Sequence, residues 1–292
     1  MTPQHTDPKA IRFALPKGRM YDGISRLLSD AGVRIVQTSR NYRPIVALPG
    51  FTAKILKPRA IIEMLDAGDR DLGFAGADWV ADGGAELVEV LDTHLDPVRL
   101  VVAAPTSILE DGKLPDRKLV VASEYVNLAS RWINDRGLDA RLLPSYGATE
   151  VLPPEDADCI IDNTATGSTL AANALDIVDE VMTSSTRLYA SRTAMDDPAK
   201  RDRIDEFAML IQSVLEARQR VMLEVNVPKD KMDAVVEALP CMREPTVATL
   251  HSGGGFAVKA AVPRTELPRV IPRLRTLGGT DIIVTTPEQI VP

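Results

Sequence analysis

The chain of 292 residues carries 34 Lys and Arg against 41 Asp and Glu, a formal net charge of -7, and is 45% hydrophobic. That length holds two or three domains with packed cores, and the acidity, with no long Lys/Arg block, argues against a nucleic-acid footprint. Aromatic residues make up only 4%, so stacking platforms are scarce, and no apolar run is long enough to span a bilayer.

Residues 1–9 are polar, contain Pro3 and Pro8, and lack the apolar segment of a secretory signal, so a cytoplasmic location is expected. The first hundred residues alternate strand-like and helix-like segments. Residues 11–15 read as a strand. Residues 21–31 place Ile24, Leu27 and Leu28 on one helical face, and Gly32 ends it. Extended segments are expected at 33–37 and 45–48, a helix at 60–67 and a buried strand at 71–75. Repeated βα units of this kind predict a parallel or mixed sheet covered by helices.

Strands are expected at 98–104, 118–122, 141–143 and 159–161, with a helix at 127–136 closed by Gly137. A helix opens near Leu170 and a strand returns at 186–190. The middle stretch reads as a second α/β lobe inserted into the first, with crossovers near 97 and 185, so that 1–97 and 185–220 form one lobe and 98–184 the other. A long amphipathic helix covers 204–220. The remaining residues, 221–292, run strand (221–225), helix (229–239), two strands (246–250, 256–262), helix (267–277), strand (281–285). That βαββαβ order is the split βαβ, ferredoxin-like arrangement.

The segment richest in chemistry is Asp162-Asn163-Thr164-Ala165-Thr166-Gly167-Ser168-Thr169-Leu170, between the strand at 159–161 and a helix. Amides at the start of a helix lack internal partners and favour negative charge. Gly167 lets backbone close around a ligand, and Thr164, Thr166, Ser168 and Thr169 offer hydroxyls to phosphate oxygens. A carboxylate does not favour phosphate, so Asp162 suits the cis-diol of an attached sugar. An ordinary polar junction remains the other reading.

Lys17 and Arg19, around Gly18, follow the first strand at the edge where open α/β sheets bind ligands; they face polyphosphate or form a solvated turn. Lys54, Lys57 and Arg59 make a second basic group ahead of a helix. Gly76 and Ala77 leave room after the strand at 71–75, Asp71 is expected to be structural, and Asp78 to cap the next helix. Cys159 reads as a core side chain and Cys241 as a helix-end residue, without a disulfide between them. His5, His94 and His251 sit in unlike contexts and form no triad or zinc pattern. The run Ser252-Gly253-Gly254-Gly255 before Phe256 is either a flexible hairpin or a place where a small ligand meets backbone.

Four segments together resemble the long form of ATP phosphoribosyltransferase: LPKGRM at 15–20, DLGFAGADWV at 71–80, DCIIDNTATGSTLAANAL at 158–175, and VNVPKDKMDAVVEALPCMREPTV with the later IIVT at 282–285. The resemblance spans roughly 10–290. It implies two catalytic lobes like those of a type II periplasmic binding protein and a C-terminal, ACT-like regulatory domain. It implies condensation of ATP, through adenine N1, with 5-phosphoribosyl 1-diphosphate, the first step of histidine biosynthesis. By the same resemblance Asp162 receives the ribose hydroxyls and residues Thr164, Ala165, Thr166, Gly167, Ser168 and Thr169 hold the 5-phosphate. Lys17, Gly18, Arg19, Lys57, Gly76 and Ala77 are expected near ATP or polyphosphate, with Asp162, Lys17 and Arg19 as the catalytic set. Lys57 stands where relatives often carry arginine, and Asn163 replaces a commonly apolar residue. Magnesium is expected as cofactor, on ligands the sequence does not identify. Histidine is expected as inhibitor at Ser252, Gly253, Gly254, Gly255 and Phe256, and dimers are expected to assemble into a hexamer. The alternative is a non-catalytic cytoplasmic sensor with the same two lobes.

Overall fold

A computed structural model describes residues 9–36 and 42–291. His5 and Gln37 lie outside the described residues. The chain divides into two compact units, one holding residues 33–206 with the N-terminal segment before residue 30, the other residues 207–292 with 30–32. The division falls inside a long helix rather than after it.

In the first unit β1 (Ile11–Pro16) leads into α1 (Arg19–Asp30), which buries Ile24, Leu27 and Leu28 in one stripe. The short strands β2 (Ile35–Val36) and β3 (Ile45–Val46) pair as a ribbon. Next come β4 (Phe51–Leu56), α2 (Pro58–Asp66), β5 (Leu72–Gly76) and α3 (Ala77–Gly83). The sequence reading had no strand at β4, where only Ala53 and Ile55 are buried. That short alternation carries little apolar signal, yet β4 pairs with β1 in parallel along its length. Of the basic group expected ahead of a helix, Lys54 therefore lies within this strand.

The chain continues through β6 (Val88–Pro105), β7 (Leu119–Ser123), α4 (Val126–Asp135), β8 (Ala140–Pro144), β9 (Cys159–Thr164), α5 (Ser168–Ala172) and β10 (Leu175–Ala190). The helix opening near Leu170 is thus a single turn. The strand expected at 186–190 begins at Leu175, because the exposed polar residues of its first half pair with β6.

The eight strands run β4-β1-β5-β10-β6-β9-β7-β8. β1, β4 and β5 are mutually parallel and form the sheet of the first lobe. β7, β8 and β9 are parallel and form that of the second. The antiparallel pair β6 and β10 runs through both, with register shifts around Ser184 and Thr186 and left-handed backbone at His94 and Asp96. Thr186 pairs with Gly76 at the end of β5, and Arg99 with Thr164 at the end of β9. Strand ends of both lobes therefore converge on the crossover, the edge where α/β sheets bind ligands. Two α/β lobes joined by two crossing strands make the periplasmic-binding-protein-like arrangement.

Each lobe has its own core. In the second, Leu100, Val102 and Ala104 pack with Tyr125 and Trp132 on one face, while Val101, Ala103 and Ile160 pack with Leu170 and Leu175 on the other. This is the alternation of a sheet buried on both faces. In the first, Ala14, Ile61, Leu65 and Ala75 cluster under α2. Full burial of a side chain the size of Ile61 or Leu65 contributes about 1.5–3 kcal/mol.

After α6 (Arg192–Asp196), helix α7 (Pro198–Gln219) spans the division between units. The second unit then adds β11 (Arg220–Pro228), α8 (Met232–Ala238), β12 (Thr246–Thr249), β13 (Gly255–Pro263), α9 (Leu267–Thr276) and β14 (Thr280–Thr285). Its sheet runs β12-β13-β11-β14, antiparallel throughout. Val221, Leu223, Val225 and Val227 alternate onto the face covered by Val235, Val270 and Leu274. This is the expected βαββαβ module.

Candidate active site

β9 carries Asp162 two residues before its end, so this carboxylate lies within the strand rather than beyond it. Its Oδ1 accepts from the Asn163 amide at 2.7 Å. Gly167 then adopts φ 80°, a left-handed turn that L side chains resist, and α5 begins. The Gly167 amide donates to Thr164 Oγ1 at 2.9 Å, and the hydroxyls of Thr166 and Ser168 meet at 3.0 Å. Ala165, Thr166, Ser168 and Thr169 are exposed, so most of the loop's polar surface faces outward.

A cavity of about 410 Å³ covers this loop. It is lined by Asp162, residues 163–166 and 168–170, and by Arg19 from the start of α1. The structure thus brings Arg19 of the first lobe to the Asp162 loop of the second. Glu124 and Glu150 line the same cavity. Burial pushes the Asp162 carboxyl up to about 6 from its ordinary 3.8; the Asn163 amide opposes this, and Glu150 and Glu124 add to it. Among the described residues lining the cavity, Arg19 is the one cation.

A smaller cavity, about 100 Å³, adjoins through Arg19 and Asn163 and is lined by Gly76, Asp78, Trp79 and Ser184. A side chain at Gly76 would strike the Asp78 carboxylate. Ala77 is buried under it and lines neither cavity. Lys17, Gly18 and Lys57 are exposed and line neither cavity. Lys17 Nζ donates to the Tyr42 hydroxyl at 3.2 Å and lies 5.2 Å from the ring centroid. Lys57 occupies the N-cap of α2 without a side-chain capping bond.

Asp78 does not cap α3. It is buried, and its carboxylate accepts from Tyr125 OH at 2.6 Å and Ser184 Oγ at 2.7 Å. Tyr125 OH accepts in turn from Asn163 Nδ2 at 2.8 Å, and the ring stacks on Trp79 at 4.4 Å. Burial, with the Asp78 charge behind it, drives the Tyr125 phenol far above its ordinary range, so it stays protonated as a donor. Asp82 accepts from the Asn127 and Leu128 amides, each at 2.9 Å, and so caps α4 of the second lobe from α3 of the first. These bonds tie the two lobes at the floor of the cleft.

Sequence reading missed Glu124, Tyr125 and residues 147–150. Glu124 and Tyr125 follow the end of β7, and the position rule for strand ends would have found them. Asp71 is structural as expected: fully buried, it accepts from Arg12 Nη2 at 2.8 Å and Lys200 Nζ at 2.9 Å. Cys159 is buried and Cys241 half-buried, both as free thiols. His94 stands 3.4 Å from Asp92, and His251 is exposed. In the second unit, Ser252 to Gly254 form an exposed turn. The Gly253 amide donates to Leu250 O at 2.8 Å, and Gly255 is buried in β13. A cavity of about 230 Å³ in that unit is lined by Met222, Arg243, Glu244 and Lys259 among others, and by none of residues 252–256.

Among the described residues, no group of three or more His, Cys, Asp or Glu is arranged to hold a metal, and no helix is long and apolar enough to cross a membrane.

Residues 57–213 match the family ATP phosphoribosyltransferase, and 217–288 match the family HisG, C-terminal domain. The chain is 33% identical over 289 residues to ATP phosphoribosyltransferase of Pelotomaculum thermopropionicum, covering 97% of this chain and 99% of that one. It is 35% identical over 289 residues to that of Desulforudis audaxviator, with the same coverage, 97% and 99%. Among solved structures it resembles a chain of the ATP phosphoribosyl transferase (HisG:HisZ) complex from Thermotoga maritima, with TM-score 0.63 and 25% identity over 70% of this chain and 98% of that one. A strand-end cleft between two lobes, followed by a βαββαβ module that matches its own family, accords with these likenesses: the chain belongs to the ATP phosphoribosyltransferase family, the enzymes that open histidine biosynthesis.

Proposed function

We propose that the cavity over the Asp162 loop is where this chain joins 5-phosphoribosyl 1-diphosphate to ATP, giving N1-(5-phosphoribosyl)-ATP and diphosphate. One observation carries the placement: Arg19 of the first lobe lines the same cavity as Asp162, Thr164, Thr166, Ser168 and Thr169 of the second. Hydroxyls and amides of the loop take the 5-phosphate. Asp162, with its carboxyl at about 6, is ionised at neutral pH and accepts from the ribose diol. Arg19 neutralises the diphosphate. Gly76, kept bare of a side chain, leaves the adjoining cavity open beside Arg19. Lys17, Gly18, Lys57 and Ala77 are assigned to the nucleotide side through the family resemblance alone.

In the reaction the N1 lone pair forms the bond to C1 as the C1–oxygen bond breaks and its electron pair leaves with diphosphate. N1 carries no proton, so no general base is needed. The developing positive charge on the sugar ring is favoured by the carboxylates of the cavity, and the lobes hold N1 and diphosphate on opposite faces of C1.

Magnesium fits single carboxylates here rather than a cluster: Glu124, Glu150 and Asp162 line the cavity with hard oxygen atoms but are not gathered into a group of three around one point. Magnesium is held by one or two carboxylates together with substrate phosphates, and when bound it supplies charge neutralisation to the leaving diphosphate.

Feedback by histidine at residues 252–256 and assembly of dimers into a hexamer belong to the same proposal. Their support is the family resemblance and a separate βαββαβ unit whose 252–254 turn is exposed. Closed symmetry is expected of such an assembly. Histidine titration of the full chain and of a chain ending at residue 220 tests the regulatory part. Equal inhibition of both would remove it.

The test of the whole is to mix the purified chain with ATP, 5-phosphoribosyl 1-diphosphate and magnesium and analyse products by mass spectrometry. Phosphoribosyl-ATP and diphosphate are expected in equal amounts. Binding of both substrates without product would make the chain a sensor instead.

A further inference from the structure

Arg19 and Asn163 are the residues common to the cavity over the Asp162 loop and the smaller cavity beside it. Asn163 therefore stands where the two spaces meet. Its backbone amide donates to Asp162 Oδ1 at 2.7 Å, and its side chain is exposed. An asparagine side chain has two unlike ends, an acceptor oxygen and a donor nitrogen. Which end faces a ligand decides what the position recognises.

The surrounding hydrogen bonds settle the orientation. A carboxylate only accepts, so Asp78 takes a proton from each neighbour, Tyr125 OH at 2.6 Å and Ser184 Oγ at 2.7 Å. The Tyr125 phenol, kept protonated by burial and by Asp78, uses its one proton in that bond. Its oxygen is left as an acceptor, and Asn163 turns Nδ2 to it at 2.8 Å. A flipped amide would set Oδ1 against an oxygen with no proton to give. Both hydrogen bonds that Asn163 makes among the described residues are donated, so Oδ1 is the end offered to a ligand.

We propose that Asn163 selects a 6-aminopurine, its Oδ1 accepting from the exocyclic amino group of the base. The inference rests on the reaction proposed above. There the diol on Asp162 includes the hydroxyl one carbon from C1, and N1 approaches C1. The base edge that carries N1 thus comes in beside the residue next to Asp162. The 6-amino group sits on the carbon bonded to N1, so an acceptor at this point reads the group adjoining the reacting atom. A base with an N–H there also has a lone pair at N1. A 6-oxopurine presents an oxygen to Oδ1 and carries a proton on N1, so it is disfavoured on both counts. Tyr125 acts through Asn163, as a positioning residue that keeps the amide from turning over.

The test is calorimetric titration of the full chain, with magnesium, against ATP and against purine riboside 5′-triphosphate. The analogue keeps the N1 lone pair and lacks the 6-amino group. The titrations are repeated on Asn163→Leu, which retains the backbone amide at Asp162, and on Tyr125→Phe. Thermal unfolding verifies that each variant is folded. Wild type should bind ATP about tenfold more tightly than the analogue, which covers Oδ1 without satisfying it. Asn163→Leu should bring the two affinities within about twofold of each other, and the ratio for Tyr125→Phe should fall between these values. A merely structural role would lower both affinities together and keep the wild-type ratio, which would overturn the inference. Equal affinities in the wild type would overturn it as well. Turnover of ATP in the product assay alongside an unchanged ratio would refute the role of Asn163 and leave the reaction standing. A ratio that collapses in Asn163→Leu while the wild type yields no product would uphold the role and refute the reaction.

Discussion

Replacing Asp162 by asparagine should make the protein more stable at neutral pH while disabling it. The carboxyl is driven from 3.8 to about 6 chiefly by burial. The native state thus holds this proton more tightly than the unfolded chain does. Its effect on stability is most favourable below about pH 4, falls as pH rises from about 4 to about 6, and is constant above. At about 1.4 kcal/mol per pH unit, keeping the ionised side chain folded costs about 3 kcal/mol at pH 7.5. Asparagine keeps the oxygen that accepts from the Asn163 amide and removes the charge, so Asp162→Asn recovers much of that amount. Both tryptophans, Trp79 and Trp132, lie in the first unit, so urea denaturation followed by their fluorescence reports on the unit that holds Asp162. The stability gap between variant and wild type should be about 2–3 kcal/mol at pH 7.5 and close to zero at pH 4. Turnover of 5-phosphoribosyl 1-diphosphate should fall sharply, since the neutral amide no longer receives the diol as an anion. A gap of the same size at both pH values, or a less stable variant at pH 7.5, would refute the burial argument.

Three further outcomes follow from other parts of the first unit. Tyr125→Phe keeps the stacking on Trp79 but removes the hydroxyl between Asp78 and Asn163, and should cost about 1.5–3 kcal/mol in the same denaturation assay. Asp71→Asn should cost about 3–5 kcal/mol at neutral pH by leaving Arg12 and Lys200 unmatched. Burial alone would raise the Asp71 carboxyl, but the bonds from Arg12 and Lys200 outweigh it and hold the group below its ordinary value. The stability this supplies is present above about pH 4 and lost as pH falls further, so the cost of the substitution should shrink in acid. Thr169→Val and Arg19→Ala should each raise KM for 5-phosphoribosyl 1-diphosphate about tenfold or more, measured by steady-state kinetics; wild-type values in both would remove them from the site.

What the sequence made legible was local. The Asp162 loop is contiguous, so its strand, left-handed glycine and hydroxyls could be read together. The C-terminal module was legible because Val221, Leu223 and Val225 alternate cleanly beside helices of ordinary period. The crossover strands were legible only in their apolar halves, 98–104 and 186–190, and not in their polar halves, 88–97 and 175–185. β6 contains Asp92, His94, Asp96 and Pro97, residues that suggest a turn, and His94 and Asp96 do adopt left-handed backbone while the strand passes through them. The tie between lobes was also invisible, since Asp78 and Tyr125 meet across 47 residues of chain. Asp78 at the first turn of a helix looks like a cap until its partners are known. Lys17 and Arg19, two residues apart, looked equivalent, yet Arg19 lines the cavity and Lys17 turns to Tyr42.

The most direct measurement of the central claim is a crystal structure of the chain with 5-phosphoribosyl 1-diphosphate and magnesium. The 5-phosphate should lie within hydrogen-bond reach of the backbone amides and hydroxyls of residues 166–169, with the ribose diol on Asp162 and the diphosphate toward Arg19. A sugar-phosphate bound elsewhere, or with its diphosphate on the 166–169 loop, would contradict the account.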